Sequence, residues 1–458
     1  MNYYLAVDIG ASSGRHILAH LEGGKIILEE IYRFANGPKS VVLDDGIEHL
    51  VWDTENLFSE ILKGLAEAKK IGKIPYSIGI DTWGVDYALL DENDNLIDRV
   101  FCYRDSRTEK TIPEVHNIIP KDELFAKTGI AFATFNTVYQ LYHDKLTGKL
   151  DKAKSFLMLP DYFHFILTGN KRQEYTMATT TSMLNAKTHT WDSEILSKLG
   201  YNPEIFNSPT NPSATVGELK AEIAEAIGYN AKVVLPATHD TASAVLAAPL
   251  SDGAPYISSG TWSLLGIEEK NAHTDTLSMA EGYSNEGGLD YSFRLQKNIM
   301  GLWMIQQVRH ELNDKYSFAE LAKMARENPI PDEIDVNDNR FMAPKNMTAE
   351  IHDAVGRELS VGECAYVIFN NLAKYYARSL DALEKITGKR FDTLHIFGGG
   401  CQNQLLNELT EKHTKRRIVT GPIESTALGN LLLQMIGSGE ITDINQGREI
   451  VTKSFDIK

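Results

Sequence analysis

The sequence predicts an α/β protein of two domains built on a duplicated fold, and three observations carry that prediction. At 458 residues the chain exceeds what one ordinary hydrophobic core holds, so two cooperative domains are favoured. Each half also opens with the same grammar of apolar strand, small glycine-containing polar turn and second strand, once in residues 3–22 and again in residues 254–270 (APYISSGTWSLLGIEEK). Near the end, the strand TLHIF runs through three glycines into CQNQLLNELTEKH, a strand, glycine loop and helix unit of the α/β kind.

Taken in order, YYLAVDI (3–9) stops at Gly10, and the run that follows ASSGR is broken at Gly23-Gly24. That pattern predicts three consecutive antiparallel strands with tight turns. A helix follows over residues 55–71, with Thr54 as its expected cap. Residues 76–97 read as a strand that turns back at DENDN, and 107–230 as mostly helical apart from a strand-like stretch at 175–191. The strand VVLPA (233–237) hands over to a helix after Asp240, and the turn cluster PLSDGA (249–254) suggests a boundary between domains 1–248 and 249–458. The second half ends in a long helix at 361–387, the glycine unit, a strand at 416–425 and an apolar helix at 426–437.

A formal charge of -16 argues against general affinity for nucleic acid or anionic membranes, which would repel the chain at long range. Three cysteines, Cys102, Cys364 and Cys401, stand far apart with no zinc-type spacing. No basic leader and no run of 18 apolar residues is present, so the expectation is a cytoplasmic protein. Its expected partners include no membrane or nucleic acid, and its expected state is a monomer or weak dimer.

Five motifs offer chemistry. In Asp8-Ile9-Gly10-Ala11-Ser12-Ser13-Gly14-Arg15, small residues between strands let backbone N–H groups approach phosphate, and Asp8 suits a hydrated magnesium ion; a solvated turn explains the same residues. Ser258-Ser259-Gly260-Thr261-Trp262 is the matching turn of the second half, with Thr261 as hydroxyl donor. Gly398-Gly399-Gly400 opens a helix and either admits a nucleotide to the backbone or makes a tight packing turn. Thr238-His239-Asp240-Thr241 puts a carboxylate where a strand meets a helix, as a general base or as a plain N-cap. Ile80-Asp81-Thr82-Trp83-Gly84-Val85-Asp86 interrupts a strand with polar groups and a glycine, which suggests ligand approach or a bulge. With it goes Tyr103-Arg104-Asp105-Ser106-Arg107-Thr108, either a polyol-binding stretch or surface ion pairs.

Together with YRDSRT, FNTVYQL, MLPDYFHFILTG, NEGG, KNIMGLW and GGGCQN, in this order and spacing, these motifs resemble the FGGY family of carbohydrate kinases across essentially the whole chain. The resemblance implies an RNase H-like (actin-like ATPase) fold in two domains around a catalytic cleft, with Mg2+ and ATP. It also implies transfer to O1 of L-rhamnulose, a small-molecule ketose, in L-rhamnose catabolism. By the same resemblance Ala11, Ser12, Ser13, Gly14, Arg15, Thr261, Gln306, Gly399 and Gly400 fall on nucleotide-binding positions. Gly84, His239, Thr241 and Asn298 fall on sugar-binding positions, and Asp240 on the proton acceptor. Rival expectations are a kinase for another ketose, such as L-fuculose or D-xylulose, and an actin-like ATPase that phosphorylates no sugar.

Overall fold

The computed structural model describes residues 1–43, 46–250 and 253–457. The elements used below are, in chain order, β1 (Tyr3–Ile9), β2 (Ser13–Glu22), β3 (Lys25–Ala35), α1 (Thr54–Lys70), β4 (Pro75–Thr82), β5 (Tyr87–Leu90), β6 (Ser155–Met158), α2 (Tyr175–Thr179), β7 (Thr215–Glu218), β8 (Lys232–Val234) and α3 (Asp240–Ala247). They continue with β9 (Tyr256–Ser259), β10 (Ser263–Glu269), β11 (Ser284–Gly287), β12 (Phe293–Ile299), α4 (Trp303–Glu311), α5 (Val361–Thr387), β13 (Thr393–Phe397), α6 (Gln404–Thr414), β14 (Arg417–Thr420) and α7 (Ser425–Ser438).

The chain forms two compact units: Met1–Pro249 with Glu269–Leu295 and Thr426–Ser454, and Leu250–Glu268 with Gln296–Ser425 and Phe455–Lys458. The first break falls beside the expected 248/249 boundary, although Ser251 and Asp252 of the turn cluster lie outside the described residues. The two later segments of the first unit depart from a contiguous division. Asn285 Nδ2 donates to the carbonyl of Gly129 (3.0 Å) and the Gly287 N–H to Thr179 Oγ1 (2.8 Å). On α7, Asn430 and Gln434 donate to the carbonyls of Gly79 and Leu5. These bonds tie both segments to strands and helices far away in sequence.

In the first unit the sheet order is β7-β8-β4-β1-β2-β3. The central strand β1 pairs antiparallel with β2 and parallel with β4. Its Leu5, Val7 and Ile9 join Ile78 and Ile80 of β4 and Leu57, Ile61 and Leu65 of α1 in one core, each such fully buried side chain contributing about 2 kcal/mol. In the second unit β9 pairs antiparallel with β10 and parallel with β13, and the neighbours run β12-β10-β9-β13-β14. Each unit is therefore centred on a strand with one hairpin partner and one parallel partner, which is the duplicated α/β arrangement the sequence predicts.

Several local expectations change. The cap of α1 is Asp53, whose side chain accepts from the N–H of Asn56, while Thr54 is the first helical residue. The strand expected over 76–97 is two strands: β4 belongs to the six-stranded sheet and β5 pairs with β6 instead. Between them Val85 adopts φ +70°, a conformation costly for a β-branched residue. The strand-like stretch at 175–191 begins with the helical turn α2, because the Glu174 carboxylate accepts from the N–H groups of Thr176 and Met177. By contrast α5 has the expected bounds, set by a capping box of Ser360 and Glu363 and by Gly388 at φ +68°.

Candidate active site

In the first unit, strand register assembles a row of charged residues. Asp8 on β1 stands opposite Arg15 on β2 and opposite Asp81 on β4. Arg15 donates from Nε (3.0 Å) and Nη2 (2.9 Å) to Asp8 Oδ2. One residue further along β4, the Thr82 N–H donates to the carbonyl of Thr238 (2.9 Å). That bond brings the start of α3, with His239 and Asp240, to the same end of the sheet. Glu174 fastens this entry by accepting from Thr238 Oγ1 (2.8 Å) and from its N–H.

Asp240 is the first residue of α3 and not its cap; His239 occupies the cap position with no side-chain capping bond. The Asp240 Oδ1 accepts from the N–H (2.6 Å) and Oγ1 (3.1 Å) of Thr241, and its side chain remains 31% exposed. Removal from bulk water raises its pKa above the usual carboxylate value, with the charge of Asp8 adding to the shift and His239 and Thr241 opposing it. A carboxylate that is open to a ligand and has raised basicity is suited to accept a proton.

Asp81 is wholly buried. Its Oδ2 accepts from Asn430 Nδ2 (2.5 Å) on α7, while Oδ1 has no hydrogen-bond partner. Burial, then the charge of Asp8, hold its pKa well above the ordinary value against the bond from Asn430. Among the described residues no three His, Cys, Asp or Glu side chains form a metal cage. A magnesium ion that keeps most of its water takes only one or two carboxylates. The orphaned oxygen of Asp81 across from Asp8 fits that donor chemistry.

The turn at 10–15 is closed by the Gly10 N–H on the Ser13 carbonyl (2.9 Å) and held by Asn36, which bonds the carbonyls of Gly10 and Ser12. Ser12 is exposed, and Ala11, Ser13 and Arg15 are half-buried. Gly14 has a different reason to be glycine: a Cβ there would lie 2.1 Å from the Phe34 ring.

At Gly84 a Cβ would stand 3.2 Å from Thr180 Cγ2 and 3.4 Å from His239 Nε2. Gly84, His239, Asp240 and Thr241 thus come together in one unit. Next to Gly84, Trp83 packs against Trp52 with the rings tilted by 39° (centroids 4.1 Å apart), and the indole N–H groups of Trp52 and Trp83 donate to Asp86 Oδ2 (2.6 and 2.8 Å). Burial pushes the Asp86 carboxyl up to about 6. The stretch at 103–108 is not a row of surface ion pairs. Arg107 is buried and donates to Gln140 Oε1 (2.7 Å) and Asp144 Oδ1 (3.2 Å), and Asp105 accepts from the N–H of Leu50 (2.8 Å).

The second unit holds the remaining candidates. Thr261 Oγ1 donates to Gln306 Oε1 (3.2 Å), and the N–H of Trp303 at the start of α4 donates to the Thr261 carbonyl (3.0 Å). The three glycines divide by role: a Cβ on Gly398 would lie 2.9 Å from the Ser259 carbonyl oxygen and one on Gly400 2.1 Å from Ser259 Oγ, whereas Gly399 faces open space. Packing therefore accounts for Gly398 and Gly400, and Gly399 alone offers an unobstructed backbone. Asn298 is exposed on β12.

Sequence reasoning assigned no role to Asp81, Glu174, Glu286 or Arg294. For Asp81 a signal existed, a carboxylate inside an otherwise apolar strand. Arg294, 1% exposed, had none.

The profile of the FGGY family of carbohydrate kinases matches in both parts, the N-terminal domain over residues 3–247 and the C-terminal domain over 255–438. A protein of Halalkalibacterium halodurans named rhamnulokinase is 46% identical, covering 100% of this chain and 98% of its own. One of the same name from Bacillus subtilis is 42% identical, over 99% and 94%. Among solved structures, a ligand-bound xylulose kinase from Lactobacillus acidophilus superimposes with a TM-score of 0.83 at 18% identity, covering 100% of this chain and 93% of that one. A Plasmodium falciparum glycerol kinase with ADP gives 0.80 at 15%, over 100% and 94%. At such identities the structural likeness speaks for the fold.

Proposed function

Because the chain belongs to the FGGY family of carbohydrate kinases, we propose that it transfers the γ-phosphoryl group of ATP to O1 of L-rhamnulose, giving L-rhamnulose 1-phosphate and ADP in L-rhamnose catabolism. The choice of sugar rests on the full-length relatives named rhamnulokinase. The observation that carries the chemistry is Asp240, a partly exposed carboxylate of raised pKa at the start of α3, beside His239 and the gap at Gly84.

In this reading Asp240 accepts the O1 proton while the phosphoryl group transfers in line, without a covalent intermediate. His239, Thr241 and Asn298 hold sugar hydroxyls, and Gly84 leaves the space a side chain would take from the ring or chain of the ketose. The turn at 11–15, Thr261, Gln306 and the open face of Gly399 serve the nucleotide, with Gly400 packed behind it. Asp8, with Asp81 across the strand, would hold magnesium, which when bound neutralises phosphate charge. No helix among the described residues is long and apolar enough to cross a membrane, and a cytoplasmic enzyme, monomer or weak dimer, fits the reading.

The test is turnover of a ketose panel with ATP, with the product identified by phosphorus NMR. L-rhamnulose should be preferred and yield the 1-phosphate. A preference for L-fuculose, L-xylulose or D-xylulose overturns the sugar assignment, and ATP hydrolysis with no sugar phosphate overturns the transfer.

A further inference from the structure

His239 has charged neighbours at both ring nitrogens. Its Nδ1 lies 3.1 Å from Arg294 Nη2 and 3.3 Å from Glu286 Oε2, and its Nε2 lies 3.4 Å from Asp240 Oδ1. Arg294 sits on β12 with its Nε donating to the Gly287 carbonyl (2.9 Å) and its Nη2 to Glu286 Oε2 (3.2 Å). Glu286 and Gly287 both belong to β11, the neighbour of β12, so the guanidinium is pinned to its own sheet before it meets the imidazole.

A guanidinium has donors only. Its contact with Nδ1 is attractive when that nitrogen is bare and repulsive when it carries a proton. A neutral imidazole with bare Nδ1 keeps its proton on Nε2, where the N–H faces Asp240 and the gap at Gly84, 3.4 Å from the position of a Cβ there. The other tautomer has one favourable contact, Nδ1–H to Glu286, against two unfavourable ones: N–H against the N–H of Arg294, and a bare Nε2 against the Asp240 carboxylate. The bond made by one ring nitrogen decides the state of the other.

We infer that Arg294, anchored by Glu286, is a positioning residue that fixes His239 in the tautomer protonated on Nε2, so that the imidazole presents an N–H donor toward the base and toward the sugar. This rests on the reading of Asp240 as the proton acceptor. A donor at this place holds the sugar oxygen by its lone pair and leaves the hydroxyl proton directed at Asp240; a bare Nε2 would compete with Asp240 for that proton.

The test uses full-length protein labelled with nitrogen-15 in histidine, with His239 ring signals identified by their loss in His239→Gln. The wild-type protein should show a bare Nδ1 and a protonated Nε2 without any substrate. In Arg294→Met the proton should move to Nδ1, toward Glu286, and kcat should fall roughly ten- to a hundredfold, with the KM for ATP within about twofold. Arg294→Lys, which restores a donor, should return the Nε2 proton and part of kcat, whereas a merely structural role gives no reason for the tautomer to follow the donor. A wild-type signal with Nδ1 protonated, or an Arg294→Met spectrum that keeps the Nε2 proton, overturns the inference. Should Arg294→Met fail to fold, judged by its thermal melt, the wild-type and Arg294→Lys spectra decide. The resting spectrum does not depend on which ketose is phosphorylated, so failure on L-rhamnulose would overturn the functional reading and leave the tautomer result standing.

Discussion

At the scale of the residue, Asp240 is the first residue of α3 and not its cap, and its carboxylate is partly exposed beside His239. Asp240→Asn should keep nucleotide binding by calorimetry while turnover falls more than about a hundredfold, the usual worth of a general base. Its raised pKa has a sign: the group stays protonated to higher pH than an ordinary aspartate, and only the ionised form is a base. Activity should therefore fall on acidification with a midpoint above the usual aspartate value of about 3.9, which a pH profile of kcat/KM measures. The same shift favours the folded state below the unfolded pKa, a contribution lost as pH rises through the folded one. Gly84 supplies a second test. An alanine Cβ at 3.2 Å from Thr180 and 3.4 Å from His239 Nε2 should cost about 1 kcal/mol of stability. The KM for the sugar should rise several-fold, and that for ATP should stay unchanged in steady-state assays.

At the scale of the element, α7 presses its backbone against α3. A Cβ on Gly429 would lie 1.8 Å from the carbonyl oxygen of Ser243 and 2.4 Å from its carbon. Neither backbone atom can rotate away. Alanine gains about 1 kcal/mol in helix propensity, but the clash should outweigh it, and Gly429→Ala should lose roughly 3 kcal/mol in urea unfolding. Because α3 begins at Asp240, the same variant should lose turnover even under conditions where it stays folded. Elements whose signals are local were legible in the sequence: α5 lies where its capping box and terminal glycine put it. α2 was not, because the threonines around it read as strand. The carboxylate that turns Tyr175–Thr179 into a helix, Glu174, also bonds Thr238, 64 residues away.

At the scale of the whole molecule, the chain returns to its first unit twice after leaving it. Truncation after Ser425 removes Asn430 and Gln434, and with them the bonds to Asp81, Gly79 and Leu5. The first unit should then lose its cooperative thermal transition, read by calorimetry, although all of residues 1–249 remain. By itself the sequence determined the two-domain α/β class, the repeated strand, turn and strand, the row of small residues at 10–14 and Asp240 at a strand-to-helix junction. These depend on periodicity, turn chemistry and caps, which act within a few residues of chain. Only the tertiary structure decided that Gly398 and Gly400 pack on Ser259 while Gly399 stays open, that Arg107 is buried, that Asp81 stands across from Asp8, and that Arg294 and Glu286 close on His239. Those outcomes depend on strand register and on packing between residues far apart in the chain, 33 positions for Arg107 and Gln140 and 55 for Arg294 and His239, and no local pattern encodes which distant donor will meet which acceptor.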